Sequence, residues 1–458
     1  MSSPNAGPRP RVVVVGAGVA GLTAARRLAG RGIDVLVLES SPRIGGKLYA
    51  RDVGGVVVDV GAEAMLSRRP EGVDLARELG LEIVHPTRAS SRLWTGGALR
   101  PLPRSLMGVP CDVDALAASG LLSGEGLLKL AEEPTLAPFV LQGNDISVGD
   151  LVGERCGDEV VDLLVEPLLG GVYAGHARQI SARAAVPQIL AFAERGSLLE
   201  QAAELPPPSD VPVFAGLAGG MGRLPYALAE GLDVRTDATV RELVRTPHGF
   251  ALTVGPTTAP ERIEASAVLL ATPAAATARL LGELAPEASA ELAGIESASM
   301  AVVTFAFAVE DAEVLGRESS GFLVPPVDRR RIKASTFSFA KWDWVRAAGE
   351  EHGVVHLRTS LGRHGDEVAL QSGDDELVAW SLADLAEATG LRATPVATHV
   401  QRWGGGLPQY AVGHVDRVAR IRAGLPDGIA VAGAAYDGVG IPAVIASADR
   451  AVERLLTP

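Results

Sequence analysis

The chain has 458 residues, of which 47% are apolar and 21% charged, enough to bury a large core in two or three subdomains and too apolar for a disordered chain. A formal net charge of −13 argues against nucleic acid or another polyanion as partner. The two cysteines, Cys111 and Cys156, lie outside any Cys-x-x-Cys or Cys/His grouping, so neither a disulfide framework nor a metal site is expected.

Residues 1–10 carry Pro and Gly but no apolar core of a signal peptide. The apolar runs 265–278 and 297–309 are too short to span a bilayer. A cytoplasmic protein is expected, with peripheral membrane contact left open.

Val12–Val15 is a short β-branched run, as in a strand buried on both faces. Gly16, Gly18 and Gly21 then give G-x-G-x-x-G, with Val19 and Ala20 among them, and a small-residue helix follows over 20–31. The first glycine permits a tight turn, the second lets backbone approach a pyrophosphate, and the third lets helix pack on strand. Amides at that helix start favour a diphosphate. Ile33–Leu38 reads as the second strand, and Glu39, followed by Ser40, stands where a carboxylate reaches ribose hydroxyls. Strand, glycines, helix, strand and acid in that order predict a dinucleotide. Arg43-Ile44-Gly45-Gly46-Lys47 offers a second backbone approach beside a cation.

Val56–Glu63 reads as a hairpin strand ending in a loop at Gly61-Ala62-Glu63, and 71–80 as a helix stopped by Gly80. From Ser90 to about Leu205 the character changes. A hairpin at 91–97 precedes helices at 112–118, 124–131, 147–156, 158–169 and 188–204, and Pro206–Asp210 marks a boundary. Gly219–Pro225 opens a helix. Strands follow at Val234–Thr236, twice within 239–254, and at Ala267–Thr272. Met300–Val309, Gly321–Val324, Ile332–Phe339 and Val354–Leu361 should build a second sheet carrying the substrate cavity. Asp374–Thr389 is a helix, Ile429–Gly433 a last core strand and 442–455 a closing helix.

Arg43–Lys47 resembles the R-x-G-G-[RK] motif of the flavin-dependent amine oxidase and protoporphyrinogen oxidase superfamily, which makes FAD the expected cofactor rather than NAD. Four further segments resemble the bacterial protoporphyrinogen/coproporphyrinogen oxidases, and together the likeness covers nearly the whole chain. Glu166–Gly175 is similar to their E-P-L-x-x-G-x-Y-A-G, and Arg358–Glu367 to R-x-x-x-G-R-x-G-D-E. Leu407–His414 is similar to M-P-Q-Y-x-x-G-H, and Ala432–Pro442 to A-G-x-x-Y-x-G-V-G-I-P.

The resemblance implies an α/β fold: a Rossmann-like FAD-binding domain of the GR2 flavoprotein type (p-hydroxybenzoate hydroxylase/amine oxidase-like), a mixed-sheet substrate domain and a helical insertion. These fall at 11–85 with 211–298 and 425–458, at 299–424, and at 90–205. It places Gly61, Ala62 and Glu63 near the flavin and the Val240 backbone at adenine, and it counts Ala271 among the cofactor-binding residues. Gly433, Gly438, Val439, Gly440 and Ile441 belong against the isoalloxazine, where amides at the start of the last helix favour negative charge. It implies Arg92 as a propionate partner, with Arg68, Arg100 and Arg363 as rivals. Gly171 becomes a close-approach point, and Leu323, Phe337 and Leu361 become cavity walls. His414 and Tyr410 are expected to cap or hydrogen-bond, and no catalytic base is expected, since the flavin carries the chemistry.

The implied reaction is six-electron oxidation of coproporphyrinogen III to coproporphyrin III by FAD and O2, with H2O2 released in each of three rounds. Protoporphyrinogen IX is the alternative substrate. An amine or carotenoid-type oxidase, and a non-catalytic flavoprotein that hands porphyrin to a ferrochelatase, are the rival classes. Transient contact with a ferrochelatase stays open, as does oligomeric state.

Overall fold

The computed structural model describes residues 11–206 and 212–457; the reading of residues 1–10 and most of the Pro206–Asp210 boundary lie outside them. A five-stranded parallel sheet runs in the order Asp233–Arg235, Asp34–Leu38, Arg11–Val15, Ala267–Leu270, Ile429–Val431. Both its faces are buried, which is why Val12–Val15 reads as a continuous apolar run rather than an alternating one. Val12 and Val14 join one core with Leu22, Ile445 and Val452, while Val13 and Val15 join another with Leu252, Leu281 and Phe250. The first side is covered by helices Val19–Ala29 and Ile441–Leu456. The second is covered by a three-stranded sheet, Val240–Thr246, Gly249–Val254 and Glu261–Ala265, and by helices Ala274–Leu281 and Pro286–Ala293.

A second, seven-stranded sheet runs Ala397–Pro408, Ser297–Ala308, Val354–Leu361, Ile332–Thr336, Ser319–Leu323, Ser90–Thr95, Ala98–Pro101. The hairpin that the sequence groups with the helical insertion thus extends this sheet, Leu93 pairing in parallel with Leu323 and Arg92 with Phe322. One face carries Trp94, Val303, Phe305, Phe322, Leu357 and Leu361 against Leu377 and Leu385 of helix Asp374–Thr389. The other carries Met300, Val302, Leu323, Arg358 and Ser360 and looks into a cavity.

The helical segment packs around a buried ion pair. Glu133, fully buried, takes the Arg155 guanidinium at 2.6 Å and the Leu198 amide at 2.8 Å. Its other oxygen accepts from the Ser197 hydroxyl. That cluster explains why the helix expected over 188–204 is two, Pro187–Arg195 and Leu198–Ala203. Gly196 breaks it at φ 153, and Ser197 caps the second piece through the Glu200 amide. The helix expected over 158–169 continues to Tyr173 through a wide turn at Val161–Val165.

Candidate functional site

The glycine fingerprint lies at the carboxyl end of the parallel sheet, where a doubly wound fold places its ligand. Gly16 has φ +103, and a Cβ there would meet the Ala271 carbonyl at 2.9 Å. At Gly21 a Cβ would stand 1.8 Å from the Gly16 carbonyl oxygen, so helix and strand can pack only without one. Gly18 differs. Its φ of −73 suits any residue, and no atom lies within 4 Å of where its Cβ would be. Nothing among the described residues requires glycine at this position; a ligand brought against the backbone would.

The other predicted loops converge on this point. The Gly45 amide donates to the Ala17 carbonyl at 2.8 Å, and Gly18 and Gly45 form a bridge, with Gly46 in contact. Glu39 accepts from the Ala17 amide at 2.8 Å and the Ser41 amide at 2.9 Å, which fixes its carboxylate beside the loop, with Ser40 exposed next to it. The Ala238 amide donates to the Glu39 carbonyl, drawing Val240 to the same end of the sheet. Arg43 stacks on Tyr49 at 3.8 Å. Val19, Ala20 and Ala271 flank the glycines, and Gly433 sits over Ala20. Gly438, Val439, Gly440 and Ile441 lead into helix Ile441–Leu456, whose first amides point out of its N-terminus.

Beside these loops lies a cavity of about 330 Å³, within the range of small-molecule pockets. Gly61, Ala62 and Lys47 form one wall, Met300, Val302 and Trp403 another, and Leu323 with Gly171 a third. A Cβ at Gly61 would stand 2.1 Å from the Lys47 carbonyl oxygen. The charged groups lining it are Lys47, Lys333 and Arg358; among the described residues no Asp or Glu lines it. Lys47 is accessible inside the cavity, yet surrounding protein lowers its ammonium pKa. Arg358 donates to the Gly61 carbonyl at 2.7 Å and pairs with Glu63 at 3.2 Å. Glu63 also holds Lys341 at 2.6 Å, and those cations keep its carboxyl below its ordinary pKa despite burial. Its side chain is therefore committed to Arg358 and Lys341, leaving its backbone as the part free to meet a cofactor.

Three expected substrate contacts are placed elsewhere. Phe337 is buried edge-on against Phe322 at 6.1 Å, and Leu361 belongs to the same core. Both lie on the sheet face turned from the cavity. Arg92 pairs with Phe322, and Trp94, two residues on, packs against that ring, so Arg92 stands on the far face too. Of its rivals, Arg100 is spent on the Ser119 carbonyl and Arg68 is exposed, whereas Arg363 lies against Gly170 close to the cavity. Leu323 and Gly171 do line it. Lys333 and Trp403 were not singled out from sequence. A lysine inside an otherwise small and apolar strand was the available signal for the first; three consecutive glycines, Gly404–Gly406, hid the strand of the second.

Residues 19–456 match the family described as flavin containing amine oxidoreductase. The chain belongs to that family and is an FAD-dependent oxidoreductase, and the open cradle at Gly18 fits the cofactor's diphosphate. Within the family it is 40% identical, over 97% of its length and 96% of the relative's, to the coproporphyrinogen III oxidase of Mycobacterium tuberculosis (strain ATCC 25618 / H37Rv). It is 29% identical to that of Bacillus subtilis (strain 168), covering 98% of each chain. A solved structure from Exiguobacterium sp. 255-15, provisionally assigned as a protoporphyrinogen oxidase, superposes with TM-score 0.85 at 31% identity, covering 98% and 99% of the two chains. Wild-type putrescine oxidase shares the fold, at TM-score 0.70 and 19% identity, over 98% and 99%.

Proposed function

We propose that the chain oxidises coproporphyrinogen III to coproporphyrin III, with dioxygen as acceptor. The observation that carries this reading is the cavity beside the flavin loops: apolar walls, three cations and no lining carboxylate among the described residues, in a chain of net charge −13. Such a lining selects a broad apolar molecule bearing several anionic groups. The relatives named coproporphyrinogen III oxidase span almost the full chain and support the same substrate.

FAD, when bound, supplies the two-electron acceptor. The chain's own part is to hold and orient. Gly16, Gly18 and Gly21 bring backbone to the diphosphate, and Glu39 presents its carboxylate to the ribose. The amides from Gly438 to the start of helix Ile441–Leu456 would offer a bound flavin the positive end of a helix dipole. Neither His nor a carboxylate lines the cavity among the described residues, so proton redistribution is left to the pyrrole nitrogens. No described helix is long and apolar enough to cross a membrane. Peripheral contact is supported by Leu128 and Val140, 72% and 71% exposed on the helical segment; release of porphyrin to a ferrochelatase would follow from the product's chemistry.

Turnover of coproporphyrinogen III and protoporphyrinogen IX by the same holoenzyme tests the choice. The proposal expects the larger kcat/KM for the tetracarboxylate; a preference for the dicarboxylate overturns it.

A further inference from the structure

The cations of the cavity are not equivalent. Arg358 is balanced by Glu63. Among the described residues Lys333 has no such partner: it is 4% exposed, and its Nζ donates to the Gly362 carbonyl at 2.9 Å. The charged group acting on it is another cation, Arg363, which donates to the Val324 carbonyl at 2.8 Å and has Nη1 buried without a partner. From the facing helix Glu166–Tyr173, Glu166 accepts the Ala177 amide at 2.9 Å, and its Oε2 stands 4.0 Å from the His176 ring. Burial and Arg363 together push the Lys333 ammonium down to about 7.

A buried ammonium costs several kcal/mol unless paired, roughly as an isolated ion in protein does. Tying strand Ile332–Thr336 to the Gly362 turn needs only a neutral donor. An ammonium carries three, and one is spent here. Glu166 has Oε1 on the Ala177 amide and Oε2 without a hydrogen-bond partner, and its charge acts on Arg363 rather than on Lys333. The place of Lys333 on the cavity wall leaves its remaining donors for an anion that arrives from the cavity.

We propose that Lys333 receives a carboxylate of the substrate at the end of the cavity where helix Glu166–Tyr173 packs onto the sheet, with Arg363 behind it. This rests on the porphyrinogen reading above and names the residue that selects an acidic side arm at this end. Arg92, the partner expected from sequence, stands on the opposite face and cannot serve there.

The test uses FAD-loaded wild type, Lys333→Met and Lys333→Arg, with steady-state kinetics on coproporphyrinogen III and fluorescence binding of coproporphyrin III and its tetramethyl ester. Loss of one charge-assisted contact should raise KM and the porphyrin Kd about tenfold in Lys333→Met, with kcat and flavin content near wild type and Lys333→Arg largely restored. The wild type should bind the acid more tightly than the ester, and Lys333→Met should narrow that gap. Unchanged KM and Kd in Lys333→Met overturn the proposal, as does equal wild-type affinity for acid and ester, a measurement that needs no variant to fold. A wild type that binds coproporphyrin III but oxidises no porphyrinogen would instead remove the functional reading, and the binding arms would still decide the role of Lys333.

Discussion

Tyr410 and Gly438 are joined by a 2.6 Å hydrogen bond from the glycine amide to the phenol oxygen, and the same hydroxyl donates to the Ala434 carbonyl at 2.6 Å. One side chain from the end of the substrate sheet thus fixes both limbs of the loop that leads into the last helix. His414 stacks on the phenol ring at 4.0 Å, and burial lowers its pKa to about 4, so it stays neutral and acts as packing. The phenol pKa is itself raised by burial, which keeps the donor protonated.

Tyr410→Phe therefore leaves an amide and a carbonyl without their partner, a loss of about 1–3 kcal/mol. Because those groups border the loop proposed to meet the flavin, the variant should retain FAD less well than wild type on gel filtration and melt at lower temperature. Equal flavin retention would show that the loop holds its shape without the phenol.

Gly18→Val addresses the cradle. Its backbone conformation accepts a side chain and there is open space for one, so the apoprotein should fold with near-normal stability while losing the yellow cofactor. Far-UV circular dichroism and flavin absorbance of the purified variant separate the two effects. A yellow variant contradicts the assignment.

Arg92→Ala should leave KM within about twofold of wild type, since surface changes away from a site rarely exceed about 0.5 kcal/mol. Steady-state kinetics on coproporphyrinogen III check this. A large rise in KM would mean that strand Ser90–Thr95 turns its other face to the substrate.

Asp59 ties strand Val56–Asp59 to the turn at Met221 and Gly222 by accepting both amides, at 2.7 and 2.9 Å. Burial raises its pKa from 3.8 to about 6, against the pull of those donors. A folded value above the unfolded one contributes stability that is fully present below the unfolded pKa and lost as pH rises through the folded one. The stability of Asp59→Asn relative to wild type should therefore climb between about pH 4 and pH 6 and stay level above. Urea unfolding of both proteins across that range measures it; a difference independent of pH contradicts the assignment.

The part of the site built from backbone was legible in the sequence, because Gly16, Gly18 and Gly21 stand in one ordered strand–turn–helix in which Gly21 packs directly on the Gly16 carbonyl. The part built from side chains on the second sheet was not. Phe337 and Leu361 lie within the expected strands, although the observed strand Ile332–Thr336 ends before Phe337, and both are on the wrong face: where both faces of a strand are buried, its apolar pattern carries no parity. Lys333 is further hidden by the register shift between Ile332 and Ala334, which disturbs the alternation that would have aimed it at the cavity. The strand Ala397–Pro408 escaped because Gly404–Gly406 depress its strand signal. The hairpin at 91–97 was read, but not its place in the second sheet, because its pairing with Ser319–Leu323 crosses more than two hundred residues. The helix break at Gly196 follows from Glu133, a tertiary partner that local periodicity does not contain.

The most direct measurement mixes the FAD-loaded protein with coproporphyrinogen III in the absence of oxygen and follows the flavin absorbance. The account predicts that the yellow colour bleaches on mixing and returns when air is admitted, with hydrogen peroxide and coproporphyrin III as products. A flavin that stays oxidised in the presence of excess porphyrinogen would contradict it.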